Sequence, residues 1–135
     1  GKDKALSRLR DHTESGTLPR LVQAFDSAIF AGEVRAFAVA GKPLSWCLKR
    51  PKAGEYIATT YAGATLLPYK PTPEEFSRVT AVSEELLKRG IFNVGYDMIG
   101  GFISEINVTS PRLLAADGNA QNYYLKWAEE IDQNC

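Results

Sequence analysis

The chain has 135 residues, 44% of them apolar, and its 16 basic residues balance 16 acidic ones. Length and composition suit one soluble globular domain with its own core. Zero net charge gives no reason to expect a nucleic acid or an anionic membrane as partner, and no apolar run is long enough to span a bilayer. The opening residues GKDKALSRLRDH are charged and hold no leader-like apolar stretch. Two cysteines, Cys47 and Cys135, are too few for a disulfide framework. They read as free thiols of a reducing compartment, the cytoplasm.

A first helix is expected from about Asp3 to Glu14, with Ala5, Leu6 and Leu9 as a narrow apolar stripe and Ser15–Gly16 as its stop. LPRLVQAF, Leu18 to Phe25, has strand character in its second half. VRAFAVAGKPLSWCLKR reads as a hairpin: strand Val34–Ala40, turn Gly41–Pro43, strand Leu44–Arg50. Alternation puts Arg35, Phe37 and Val39 on one face and Val34, Ala36 and Ala38 on the other. An arginine opening an otherwise apolar face needs an anionic partner or an exposed strand end. A loop and a loose strand near Tyr56–Leu67 follow.

The clearest helix begins at TPEEF, where Thr72 is the N-cap, Pro73 sits at N1 and Glu75 completes a capping box. Phe76, Val79, Val82, Leu86 and Leu87 follow at helical spacing, and Gly90 closes the helix. IFNVGYDMI and FISEINV make a second hairpin about Gly100–Gly101. A last helix covers about Asn119–Asp132, with Tyr123, Tyr124, Trp127 and Ile131 as its apolar face. The class is α+β, a mixed or antiparallel sheet packed with helices.

In the second hairpin Glu105 and Asn107 lie two residues apart, so they point the same way, and the turn folds Asp97 back beside them. Two carboxylates and an amide oxygen at one spot suit Mg²⁺, which keeps waters and takes substrate phosphates. The same three residues also suit a solvated sheet face. His12, the single histidine, sits on a charged helix and reads as solvated, and Cys47 reads as a small apolar strand residue. No Ser/His/Asp or Cys/His constellation is present.

GYDMIGG followed by EINVTSP resembles the C-terminal signature of bacterial glutathione synthetase, an ATP-grasp ligase family. The likeness continues in order through GT at Gly16–Thr17, LVQAF, AGEVR, GKPLSWCLKR and KRGIFNVGYDMIG, covering most of Gly16 to Pro111. It implies an ATP-grasp C-terminal lobe, a single domain over residues 1–135. The family's N-terminal substrate domain, phosphate-binding lysines and glycine-rich loop would then precede Gly1. It also implies a metal trio of Asp97, Glu105 and Asn107 with Mg²⁺ and ATP. Gln23, Ala24 and Phe25 become adenine contacts, although a plain strand would leave the same trace. Glu33 falls near the ribose hydroxyls. Arg35 becomes an arginine for the phosphates and the acyl-phosphate, a task its guanidinium fork suits, though a surface ion pair suits it too. Arg50 resembles a second anion-facing arginine and equally a strand-end charge.

The implied chemistry is carboxylate activation. ATP phosphorylates the terminal carboxylate of γ-glutamylcysteine and the amine of glycine attacks the acyl-phosphate. Two departures stand out: Ile57 and Thr59 replace an Arg and an Asn of the family's loop, and RLLAADGNAQN after TSP is unlike the family's continuation. An isolated lobe with little turnover is the first expectation. A non-catalytic module that binds a partner or self-associates through exposed strand faces, as a homo-oligomer, is the second.

Overall fold

Two hairpins and one short edge strand build the sheet in the computed structural model, which describes residues 1–134. The elements run α1 (Lys2–His12), β1 (Glu33–Val39), β2 (Lys42–Arg50), β3 (Thr65–Pro68), α2 (Pro73–Lys88), β4 (Asn93–Ile99), β5 (Phe102–Asn107) and α3 (Ala120–Asn134). The sheet order is β3-β2-β1-β4-β5 and every neighbouring pair is antiparallel. The α+β expectation holds, with β1 at the centre.

Both hairpins close on two-residue turns whose residues take positive φ: Ala40 at 48° and Gly41 at 78°, Gly100 at 58° and Gly101 at 81°. Such turns match the twist of the flanking strands. The first lies at Ala40–Gly41 rather than at the expected Gly41–Pro43, and Pro43 belongs to β2. Each hairpin then slips by one residue. Val39 and Ala38 face Lys42 and Pro43, but Phe37 faces Ser45, leaving Leu44 as the extra residue of a bulge. Ile99 and Met98 face Phe102 and Ile103, but Asp97 faces Glu105, leaving Ser104 as the extra residue. The Ser104 hydroxyl donates to the Asp97 carbonyl at 3.0 Å, which ties the second bulge down.

One face of the sheet packs on α2. Val34, Ala36 and Ala38 of β1 and Val94, Tyr96 and Met98 of β4 meet Val79, all of them buried, with Trp46, Leu48, Val82 and Leu86 around them. The Tyr96 hydroxyl is satisfied inside this core: it lies 2.7 Å from the Ser83 hydroxyl. α2 starts as its sequence requires. The Thr72 hydroxyl accepts the Glu75 N–H at 3.2 Å, and a Glu75 carboxylate oxygen accepts the Thr72 N–H at 2.9 Å. Glu75 also accepts the Tyr69 hydroxyl; burial and this carboxylate push the Tyr69 hydroxyl up to about 12. At the other end Gly90, at φ 79°, donates its N–H to the Leu87 carbonyl.

The second face is covered at one end by α3. Trp127 lies against Phe37 and Val39 and donates its indole N–H to Asn93 Oδ1 at 2.8 Å. Lys42 reaches Glu130 at 3.0 Å. The remainder of that face carries the polar residues described below.

Four expectations change. LVQAF forms no strand and has no ladder partner, with Leu21 85% and Val22 74% exposed. The loose strand at Tyr56–Leu67 contracts to Thr65–Pro68, because Thr59 caps a short 3-10 turn at Thr60–Ala62 and Gly63 closes it in the left-handed region. The Leu6–Leu9 stripe of α1 finds nothing to pack on, since no residue of that helix is buried. Phe76, expected in the core, is half exposed and stacks on Trp46 at a centroid distance of 6.4 Å. The expectation for Cys135 lies outside the described residues.

Candidate functional site

The sheet face opposite α2 gathers charge at its centre. Strand alternation and the two bulges put Glu33 and Arg35 of β1, Lys49 of β2, Asp97 of β4 and Glu105 and Asn107 of β5 on one side. Arg35 and Asp97 are direct cross-strand partners, as are Asp97 and Glu105. A guanidinium facing a carboxylate across an antiparallel pair can form a two-pronged contact, and it does: Arg35 Nε and Nη2 donate to the two Asp97 oxygens at 2.9 and 2.6 Å. This is the anionic partner that an arginine on this face needs.

Lys49 completes the cluster. Its ammonium donates to Asp97 Oδ1 at 2.6 Å and pairs with Glu33 Oε1. Asn107 Nδ2 donates to Asp97 Oδ2 at 3.3 Å. Asp97 is only 4% exposed and Lys49 5%, so these are interior ion pairs. Burial pushes the Asp97 carboxyl up, but the hydrogen bond from Lys49 and the Arg35 and Lys49 charges outweigh it and hold Asp97 below its ordinary value. Glu33 goes the other way. Its burial, aided by the nearby Asp97 carboxylate, raises it against the pull of Lys49. The pair therefore divides its roles, with Asp97 the firmly ionised member. Cys47, opposite Arg35 and fully buried, has its thiol pushed up to about 11 by burial, which fits a packed and unreactive residue.

Gly95 makes room for this arrangement. A Cβ there would lie 3.1 Å from Arg35 Nη1 and 3.3 Å from Pro111. A side chain at that position would press on the guanidinium.

Beside the cluster lies a cavity of about 480 Å³. Gln23, Ala24, Phe25 and Glu33 line it from one side, Tyr56 and Phe102 among others from the rest. Phe25 meets Phe30 and Tyr56 edge-on at 5.8 and 5.9 Å. Arg78 fixes the far hairpin by donating to the Gly101 carbonyl and lying 4.7 Å over the Phe102 ring. Glu33 is the shared residue: it borders the cavity and pairs with Lys49 in the cluster.

The three expected metal ligands thus share one face. Among the described residues no group of three or more His, Cys, Asp or Glu side chains gathers for a metal; the expected trio consists of two carboxylates and one amide. In donor type and shared face the set suits a hard cation. Its carboxylates differ: Glu105 is exposed, whereas both Asp97 oxygens are taken by cationic side chains.

Arg50 does not join this group. It is exposed at the end of β2, and alternation turns it away from its neighbour Lys49 and from Arg35. Its cross-strand partner is Thr65. Lys49, not singled out by sequence reasoning, takes the inward place. The signal for it was the hairpin register, which puts Lys49 opposite Glu33 only when the bulge at Leu44 is counted. Of the two altered loop residues, Ile57 is 47% exposed, and Thr59 spends its hydroxyl on the Ala62 N–H. His12 is exposed on α1.

Comparison with known proteins accords with this geometry. The family described as "Prokaryotic glutathione synthetase, ATP-grasp domain" matches residues 1–117. Glutathione synthetase of Prochlorococcus marinus (strain MIT 9313) is 37% identical over 99 residues, 73% of this chain and 32% of that protein. The glutathione synthetases of Shewanella oneidensis and Escherichia coli (strain K12) are 37% and 36% identical over 100 residues, with the same coverage. The chain spans about a third of the length of these curated relatives, 32% in each case. No helix is long and apolar enough to cross a membrane among the described residues. An antiparallel α+β domain with this match along most of its length belongs to the prokaryotic glutathione synthetase ATP-grasp family.

Proposed function

We propose that this chain is the C-terminal lobe of an ATP-dependent carboxylate–amine ligase of the glutathione synthetase type, and that it grips Mg²⁺–ATP. One observation carries the reading: Glu33 joins the aromatic-lined cavity to the charged cluster, so a base-sized space and a phosphate-sized, metal-suited face are continuous. Gln23, Ala24 and Phe25 line the base end, and their backbone lies outside any strand ladder, which leaves N–H and C=O groups to read an adenine. Glu33 stands where ribose hydroxyls would lie. Asp97, Glu105 and Asn107 would hold the magnesium, which supplies charge neutralisation at the phosphates. Arg35 faces the transferring group, and its fork matches phosphate oxygens as it matches Asp97 now. In the joined enzyme the acceptor carboxylate would be that of γ-glutamylcysteine and the amine that of glycine. No side-chain nucleophile is required. Arg50, on the opposite face, has no part in this assignment.

Calorimetry with Mg²⁺ and ATP tests the reading. The chain should bind the nucleotide, and Asp97→Asn should abolish binding while the circular dichroism stays that of a folded domain. A chain silent at millimolar Mg²⁺–ATP would refute it. A second reading has its own observation: Leu6 and Leu9 of α1 and Leu21 and Val22 after it are all exposed. A partner-binding or self-associating module would show as a dimer by light scattering that Leu21→Asp disperses, with no nucleotide effect.

A further inference from the structure

We propose that Lys49 is a built-in counter-ion of Asp97 that must be displaced before a divalent cation can use that carboxylate, so this chain takes up metal by exchange rather than into a vacant seat. The inference rests on the metal reading above and concerns a residue which that reading leaves without a task.

The geometry is specific. The Lys49 ammonium lies 2.6 Å from Asp97 Oδ1, on the same atom that takes the Arg35 Nε–H at 2.9 Å. The other oxygen, Oδ2, holds Arg35 Nη2 and the Asn107 amide. Each Asp97 oxygen thus already accepts two donors, close to the capacity of a carboxylate. A magnesium or manganese ion needs an oxygen at about 2.1 Å and repels a cation seated on that oxygen. Of the two cations, Lys49 is the one built to leave. It contributes a single point contact, whereas Arg35 is held by two parallel bonds, and it has a second carboxylate, Glu33, to stay on. Glu33 borders the cavity, so a Lys49 ammonium that swings off Asp97 and remains on Glu33 moves toward the space where an anionic ligand would enter. The exchange conserves charge: the incoming metal replaces an ammonium on Asp97, and that ammonium becomes available to the phosphates arriving with the metal. A domain arranged this way discourages bare metal and favours metal that brings its own anion.

The test is Mn²⁺ binding without nucleotide, followed by calorimetry on the chain itself. Lys49→Met should bind Mn²⁺ at least tenfold more tightly than the unmodified chain, and Lys49→Met with Asp97→Asn should lose that gain. Thermal unfolding gives an independent readout: saturating Mn²⁺ should raise the midpoint of Lys49→Met more than that of the unmodified chain. Lys49→Gln, which keeps hydrogen-bonding N–H groups toward Glu33 and Asp97, serves if the methionine variant does not fold, with the same expected direction. If the chain takes up Mg²⁺–ATP through Asp97 but neither Lys49 variant gains Mn²⁺ affinity, the exchange idea is overturned and the metal reading stands. If no variant shows any Asp97-dependent uptake of metal or Mg²⁺–ATP, both fall.

Discussion

Replacing Asp97 by Asn perturbs the most connected side chain of the molecule. Asp97 is 4% exposed and faces an Arg35 side chain 13% exposed and a Lys49 side chain 7% exposed. Removing one partner of a buried ion pair costs about 3–5 kcal/mol, because it leaves charge without compensation. Two features reduce that figure here. Asparagine keeps one acceptor oxygen, and Lys49 retains Glu33. The expected loss is therefore about 2–4 kcal/mol, or a melting midpoint lower by roughly 10 °C for a domain of this size. Urea unfolding at pH 7 with a chelator present, followed by far-ultraviolet circular dichroism, measures it free of metal and of salt screening. The loss should also depend on pH in a set direction. The folded carboxyl lies below its ordinary value, so the stability it adds is complete above about pH 4–5 and disappears as pH falls through that lowered value. The two proteins should thus converge in acid. A difference under about 0.5 kcal/mol at pH 7, the range of ordinary surface substitutions, would show that the cluster is hydrated and unpaired in solution.

Glu33→Gln should act in the opposite sense. Burial raises the folded Glu33 carboxyl, so ionising it opposes folding once pH passes the ordinary glutamate value. At pH 7 the glutamine variant should be at least as stable as the parent, with the two alike near pH 4; a clear loss at pH 7 by urea titration would contradict this. Phe25→Ala should weaken Mg²⁺–ATP binding roughly 3–10-fold by calorimetry, the scale of one aromatic contact, and leave the melting midpoint nearly unmoved because the ring is 63% exposed. Thr72→Ala should cost about 1 kcal/mol in urea unfolding by opening the capping box of α2, and Thr72→Ser should restore most of it.

How far residues alone disclose this molecule depends on the range of the interaction. The start and stop of α2 are local chemistry: Thr72, Pro73, Glu75 and Gly90 act within one turn of their own position, and the helix lies where they put it. The two hairpins and the faces of β1 follow from alternation, which is also local. What escaped is what a partner decides. LVQAF has the composition of a strand but meets no strand edge. The β3 segment shortened because Thr59 and Gly63 curl the chain before pairing starts. The site shows the same division. Residue type and family pattern point to Asp97, Glu105, Asn107, Glu33 and Arg35, and these lie on one face. Their convergence is not a consequence of the Gly100–Gly101 turn alone. A plain two-residue hairpin would have set Asp97 against Ser104 and sent Glu105 and Asn107 to the α2 side. Neither bulge has a sequence signature, so alternation alone does not disclose Lys49, whereas Arg50 is suggested by family resemblance and lies on the opposite face.

The extra residues at Leu44 and Ser104 are spare length in this region. Loss of either one would leave an even ladder in which Glu33 still confronts Lys49 and Asp97 still confronts Glu105, with only the local kink and added twist gone. The damaging change is to flatten a bulge while keeping its residue: Leu48 would then confront Glu33 in the first hairpin, and in the second Glu105 and Asn107 would be driven among the aliphatic side chains beneath the sheet. Natural variants that shorten these hairpins should therefore do so at the bulges, one residue at a time.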